Sequence, residues 1–261
     1  MRNLKRIALL IDADNTQLSK LEDVIQEIST HGRIVVKRAY GNWKKNTLKN
    51  WESEIMRLAI RPQQQFDYTS GKNATDMALV IDTISLLHKD LYDGFVIVAS
   101  DSDYTPLAIT LHESGVYVIG VGEKKTPEAF RNSCDEFIFL ENLDTESEKV
   151  SKKDESRNGN GKSKETVVPD TEETNNNNDN IKGINEIHKL LKIASDKFQD
   201  DDGYVNVSLA GQYIKRAKPD FDVRTFGFIK LTKLLEAFPD KYIIKKHPGK
   251  GKVTIVSYKC K

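Results

Sequence analysis

The sequence predicts an α/β protein with a mostly parallel sheet between layers of helices, followed by a small winged-helix domain. Three observations carry this prediction. Residues 1–143 alternate short β-rich runs with helical patterns, the order that specifies a parallel sheet covered on both faces. Residues 144–180 exchange apolar residues for Ser, Lys, Glu, Asp, Asn and Gly, including a run from Asn175 to Asn178. Residues 181–261 carry three helical patterns and then two alternating strands about a turn with Pro248, Gly249 and Gly251.

The first domain should place strands at Ile7–Ile11, Ile34–Arg38, Gln65–Tyr68, Phe95–Ala99, Tyr117–Val121 and Phe137–Leu140, each an apolar or β-branched run between polar stretches. Helices should start near Leu18, Leu48, Ala74, Thr105 and Pro127. In the Ala74 helix, Met77, Val80, Ile81, Ile84 and Leu87 or His88 recur at helical spacing and read as its buried stripe. The stretch 144–180 cannot bury enough apolar surface to offset its ordering entropy, so it is expected to be a disordered tether. Beyond it, Ile184–Phe198 is amphipathic through Ile187, Leu190, Leu191 and Ala194. Val207–Lys218 and Thr225–Phe238 read as helices stopped by Pro219 and Pro239, and Tyr242–Lys245 and Val253–Tyr258 as a hairpin.

With 261 residues, 38% of them hydrophobic and 30% charged, the chain suits two modest cores better than one large body. It contains no run approaching the ~18 apolar residues of a membrane span and no signal-peptide pattern, so a soluble, cytoplasmic protein is expected. Cys134 and Cys260 lie far apart without metal-ligand spacing and read as free thiols, and the scattered histidines suggest no metal set. The net charge of +1 hides an asymmetry. Residues 1–143 hold 17 Lys/Arg against 20 Asp/Glu, residues 144–180 hold 6 against 10, and residues 181–261 hold 17 against 9, so the balances are −3, −4 and +8. A basic tail domain points to a polyanion as partner, with nucleic acid the foremost candidate.

In an open parallel sheet, ligands bind beyond the carboxyl ends of the strands. Two such ends carry paired acids: Asp12 and Asp14 with Asn15 after the first strand, and Asp101 and Asp103 after the fourth. Asp76 sits in the first turn of the Ala74 helix, facing the same crevice. Carboxylates gathered this way repel one another unless protons or a hard cation compensate, and oxygen-only clusters suit Mg²⁺ or Mn²⁺. Such a cation would polarise a phosphodiester and lower the pKa of a bound water, with no need for a Ser, Cys or His nucleophile. The plain alternative is that acids after strands only form turns and helix caps. Asp14 is read as such a turn residue and Asp82 as lying on another helix face, so neither enters the predicted set of Asp12, Asp76, Asp101 and Asp103.

Five ordered blocks then resemble a bacterial NYN domain, a branch of the PIN-like ribonuclease superfamily. They are Ile11-Asp12-Ala13-Asp14-Asn15, Lys37-Arg38-Ala39-Tyr40-Gly41-Asn42-Trp43, Gly71-Lys72-Asn73-Ala74-Thr75-Asp76, Ser100-Asp101-Ser102-Asp103-Tyr104 and Gly122-Glu123-Lys124-Lys125-Thr126-Pro127. The resemblance covers nearly all of residues 5–143. It implies a PIN-like three-layer α/β/α fold that cuts RNA with Mg²⁺ or Mn²⁺, with Asp12, Asp76, Asp101 and Asp103 as the acidic cluster and Asn15 as its polar companion. No acid of that pattern is missing. The tail is similar to the LOTUS or OST-HTH domain through Gly203-Tyr204-Val205, Lys218-Pro219-Asp220-Phe221 and the run Phe226 to Leu235, which implies RNA binding.

Candidate contacts to RNA follow. Lys72, on a loop ahead of Asp76, is either a phosphate ligand or a solvated lysine. Lys37, Arg38, Tyr40, Trp43, Lys44 and Lys45 mix cations with aromatics as single-strand binders do, although Trp43 reads equally well as core. Lys124 and Lys125 follow the fifth strand. In the tail, Lys215, Arg216, Lys218, Lys230, Lys233, Lys245, Lys246, Lys250 and Lys252 are the phosphate-facing candidates. The leading expectation is a metal-dependent ribonuclease acting on single-stranded or structured RNA, with no membrane partner and self-association left open. Its rival is a non-catalytic RNA-binding adaptor with a residual metal site. A third reading, an aspartyl-nucleophile phosphatase, rests on the DxDxT pattern of Asp12, Asp14 and Thr16 and requires a downstream order of Ser/Thr and Lys into which the Ser100–Asp103 strand does not fit.

Overall fold

A computed structural model of the chain describes residues 4–66, 73–145, 173–249 and 254–261. It divides into two compact units, Met1–Ser147 and Glu148–Lys261. Among the described residues no helix is long and apolar enough to cross a membrane.

The first unit is built on a six-stranded, wholly parallel sheet: β1 (Leu4–Asp12), β2 (Gly32–Gly41), β3 (Arg61–Gln64), β4 (Gly94–Val98), β5 (Tyr117–Gly122) and β6 (Glu136–Phe139). The strand order is β3-β2-β1-β4-β5-β6. Between β1 and β4 the winding reverses, so the connections leaving these two strands diverge and open a crevice at their carboxyl ends. The helices are α1 (Leu21–Ser29), α2 (Trp51–Arg57), α3 (Ala74–Leu87), α4 (Thr105–Glu113) and α5 (Glu128–Asn132). Alternation along the strands divides the core into two layers. Ile7, Leu9 and Ile11 of β1 pack with α1 and α2, whereas Ala8 and Leu10 pack with residues of α3, α4 and α5. This is the expected three-layer α/β/α arrangement.

Two predicted elements are shifted, each for a physical reason. Strand β3 lies at Arg61–Gln64, ahead of the expected Gln65–Tyr68, whose Asp67 and Tyr68 fall outside the described residues. It is the sheet edge, so it tolerates Pro62 and polar side chains and shows no apolar pattern. Helix α3 is where it was expected, but Met77 and Ile81 are 55% and 61% exposed, and the buried residues are Thr75, Leu79, Thr83 and Leu86. The helix is apolar nearly all round, so periodicity could not choose its inner face. At about 100° per residue, Asp76 and Asp82 flank the Leu79 direction by about 60° on either side, and their polar partners, Tyr104 before α4 for Asp76 and Arg38 and Tyr40 on β2 for Asp82, set the rotation.

The second unit contains α6 (Glu173–Phe198), β7 (Val205–Asn206), α7 (Val207–Ala217), α8 (Leu231–Glu236), β8 (Tyr242–Pro248) and β9 (Thr254–Cys260). The strands form an antiparallel sheet in the order β7-β9-β8. Ile187, Leu191, Ala194, Ile214, Leu234, Leu235 and Tyr258 fill its core, and the Tyr258 hydroxyl donates to the Leu191 carbonyl at 2.7 Å. Helices with a terminal hairpin give the winged-helix arrangement. Helix α6 begins at Glu173, so residues 173–180 of the expected tether are helical, while residues 146–172 lie outside the described residues. The single helix expected over Thr225–Phe238 is interrupted: Gly227, at φ +79°, ends a 3-10 turn at Val223–Phe226, and α8 starts afresh at Leu231.

Candidate acidic centre at the carboxyl edge of the sheet

Asp12 is the last residue of β1 and follows Ala8 and Leu10 in the alternation, so its side chain enters the layer occupied by α3 and α4. It is fully buried. Asp76, in the first turn of α3, and Tyr104, just before α4, meet it there. The Tyr104 hydroxyl lies 2.7 Å from Asp76 Oδ1 and 3.2 Å from Asp12 Oδ2. A phenol has one proton, so it donates to the nearer Asp76, and Asp12 Oδ2 takes its donor from the Asn15 amide at 2.9 Å. The backbone N–H of Asp14 donates to Asp12 Oδ1 at 3.2 Å.

The remaining acids sit around this pair. Asp101 caps the 3-10 turn Ser102–Tyr104 by accepting the N–H of Asp103 at 3.0 Å, and Asp103 Oδ2 accepts the Asn73 amide at 2.9 Å. Asp14 Oδ2 accepts the Thr75 hydroxyl at 3.0 Å, and Lys45 Nζ stands 3.3 Å from its other oxygen. Gly122 keeps the β4 edge clear: a Cβ there would lie 2.6 Å from the Ala99 carbonyl oxygen, two residues before Asp101.

Electrostatics register the convergence. Burial pushes the Asp12 carboxyl up to about 6, opposed by the hydrogen bonds from Asn15 and Tyr104 and reinforced by the charges of Asp76 and Asp14. Burial also raises Asp76, with further upward pushes from Asp101, Asp103 and Asp14 and a downward one from the Tyr104 hydroxyl. Asp12 and Asp76 thus meet at Tyr104, and Asp101, Asp103 and also Asp14, set aside on sequence as a turn residue, lie near enough to raise Asp76. Tyr104 was overlooked as well. Its signal was its place directly after Asp-Ser-Asp, at the entry to a helix beside the strand edge.

Among the described residues, no three acid, His or Cys side chains already stand at ligand spacing about one point. Asp76 is turned to Tyr104, Asp101 to its own cap and Asp103 to Asn73. The chemistry of the donors nevertheless fits a hard cation: all are oxygens, and the Asp12 carboxylate is held against both burial and like charge. Tyr104→Phe removes the donor that lowers Asp76. The expected outcome is a higher Asp76 titration in carboxyl NMR and a loss of about 1–3 kcal/mol at neutral pH in chelator. An unmoved titration would refute the bridging role.

The basic candidates divide by what they touch. Lys37 donates to the Leu58 carbonyl, and Arg38 grips Asp82 at 2.5 and 2.6 Å together with the Tyr40 hydroxyl, so both serve the packing of this domain. Trp43 packs on Trp51, with centroids 6.1 Å apart. Lys124 is exposed near the β5 end, whereas Lys72 lies outside the described residues, as do Lys250 and Lys252. In the tail, Lys233 and Lys246 both pair with Glu236, at 2.7 and 2.8 Å, and Lys218 pairs with Glu186 at 2.8 Å. Arg216 and Lys230 are exposed, Lys215 is half-buried in the last turn of α7, and Lys245 stands 5.3 Å from the centroid of the Tyr204 ring.

Comparison with known proteins agrees with this architecture. The model of the NYN domain family matches residues 6–141, and that of the OST-HTH/LOTUS domain matches residues 184–254. Among solved structures, a protein of unknown function from Vibrio parahaemolyticus is similar at 15% identity and a TM-score of 0.44, over 53% of this chain and 94% of its own. An uncharacterized protein from Nitrosomonas europaea is similar at 21% identity and a TM-score of 0.26, over 41% of this chain and 87% of its own. No curated protein matches. The first unit has the PIN-like α/β fold of a nuclease superfamily, the second is of a type associated with RNA, and the chain belongs to the NYN domain family with an OST-HTH/LOTUS domain following.

Proposed function

We propose that this protein is a divalent-metal-dependent ribonuclease whose acidic centre hydrolyses RNA phosphodiester bonds while the OST-HTH/LOTUS domain holds the RNA. The observation that carries the reading is the meeting of Asp12 and Asp76 on one buried hydroxyl at the sheet's switch point, with Asp14, Asp101 and Asp103 close enough to raise Asp76. Asp12, Asp76, Asp101 and Asp103 would hold Mg²⁺ or Mn²⁺, and Asp14 is available beside them. Bound there, the cation supplies Lewis-acid polarisation of the phosphodiester and an acidified water. The protein's own groups do the rest. Asn15 and the Asp14 N–H orient Asp12, Tyr104 fixes Asp76, and the Asp101 cap sets the start of the turn that delivers Tyr104. Joining the two domains in one chain raises the effective concentration of bound RNA at the centre.

One observation favours the adaptor reading: among the described residues, the acids are engaged by protein hydrogen bonds instead of standing open about one point. Full-length protein incubated with labelled single-stranded RNA in Mg²⁺, in Mn²⁺ and in chelator separates the two. Cutting in metal that stops in chelator and returns when metal is restored is the expected outcome. RNA bound but uncut under every condition would replace this function with the adaptor.

A further inference from the structure

Phe66 is 52% exposed, two residues beyond the carboxyl end of the edge strand. Its surroundings are built. The Gln65 N–H continues the sheet by donating to the Gly41 carbonyl at 3.1 Å, the Trp43 indole donates to the Gln63 carbonyl at 3.0 Å, and Gln64 accepts the Trp43 N–H at 3.1 Å. Lys44 Nζ stands 4.9 Å from the Phe66 ring centroid, and its neighbour Lys45 reaches Asp14 of the acidic centre. Gln63 is in register with Tyr40 and Tyr40 with Asp12, so Gln63 lies two strands, or about 10 Å, from Asp12, and Phe66, three residues further on, about 14 Å away. An aromatic face, two lysines and the acids thus follow one another along a single edge of the sheet. The aromatics that precede these lysines in sequence cannot serve instead, because Tyr40 is buried and Trp43 packs on Trp51.

We infer that Phe66 is a stacking platform for an unpaired nucleobase about two nucleotides from the scissile phosphate, with Lys44 and Lys45 meeting the backbone between them. Phe66 would act on unpaired strands alone, because a base held in a duplex cannot present its face to the ring. The inference rests on the ribonuclease reading for the identity of the ligand and deepens it by naming a residue that positions a base beside the centre.

The test uses full-length wild type, Phe66→Ala, Phe66→Trp and, as a distant exposed control, Met56→Ala. Cleavage of a single-stranded RNA is compared with cleavage of the same strand fully paired. Binding in chelator is followed with an oligonucleotide whose adenine analogue reports stacking by loss of emission. Phe66→Ala should cut the single strand about tenfold less efficiently and lose the emission change, while Phe66→Trp and Met56→Ala keep both. Equal behaviour of Phe66→Ala and wild type, or a loss in Phe66→Trp as large as in Phe66→Ala, overturns the inference. Emission that depends on Phe66 in a protein that cuts nothing would sustain the platform and remove the nuclease reading.

Discussion

Asp12→Asn is expected to lower metal-dependent RNA cleavage about a thousandfold and, in the same protein, to raise thermal stability at neutral pH in chelator. The two effects have one cause. Asp12 is held in the fold at about 6 against an ordinary 3.8, chiefly by burial. Below about pH 4 it carries a proton in both the folded and unfolded states and makes no difference. Between about pH 4 and 6 the folded state binds the proton more tightly, so stability falls as pH rises through this window. Above about pH 6 the fold carries the whole cost, on the order of 3 kcal/mol. Asn has nearly the same shape and no charge, so the variant should melt several degrees higher at neutral pH in chelator. Its stability should also change less than that of the wild type between about pH 5 and 7. A cation at the centre would offset the same cost, so Mn²⁺ should raise the melting temperature of the wild type and leave the variant unmoved. The activity loss reflects removal of a ligand from a centre asked to supply several kcal/mol of transition-state stabilisation. A variant that is less stable in chelator, or that cuts normally, refutes this account of Asp12.

Asp101→Asn is expected to separate activity from stability in a different way. Asp101 is exposed, and its visible structural work is to cap the turn leading into α4. Asn caps about as well as Asp, so unfolding by denaturant should differ from wild type by no more than about 0.5 kcal/mol. Asp101→Ala, which removes the cap, should cost about 1 kcal/mol. Both variants should lose about a hundredfold in cleavage, because both remove a carboxylate from the open side of the centre, where a phosphate would enter. If Asp101→Ala lost activity and Asp101→Asn kept it, the residue would be a cap alone and the acidic centre would be smaller than proposed.

The placement of Phe66 illustrates what sequence could and could not indicate. Aromatics among cations after β2 suggested single-strand binding at this corner, and the surface proposed around Phe66 lies beside it. Tyr40 is buried and Trp43 packs on Trp51, as its alternative reading had it, and the exposed ring lies just past the next strand, which an edge position had stripped of any apolar signature. Lys37 and Arg38 likewise belong to β2, and their charges are engaged by the Leu58 carbonyl and by Asp82.

What the sequence determined by itself were features encoded locally: the alternation of strands and helices, the seam between the two domains, and acids placed immediately after apolar strands. Strand parity groups Asp12 with Ala8 and Leu10, because side chains alternate whatever the rest of the chain does, but packing decided that α3 and α4 cover that face. Only the tertiary structure decided which face of α3 is buried, since an all-round apolar helix takes its rotation from the partners of Asp76 and Asp82. Only it brought Asp14 and Tyr104 into the centre, because these contacts join residues some 60 to 90 positions apart in the chain, as with Thr75 to Asp14 and Tyr104 to Asp12. Long-range hydrogen bonds and ion pairs are properties of packing, and no periodicity in a single stretch of sequence records them.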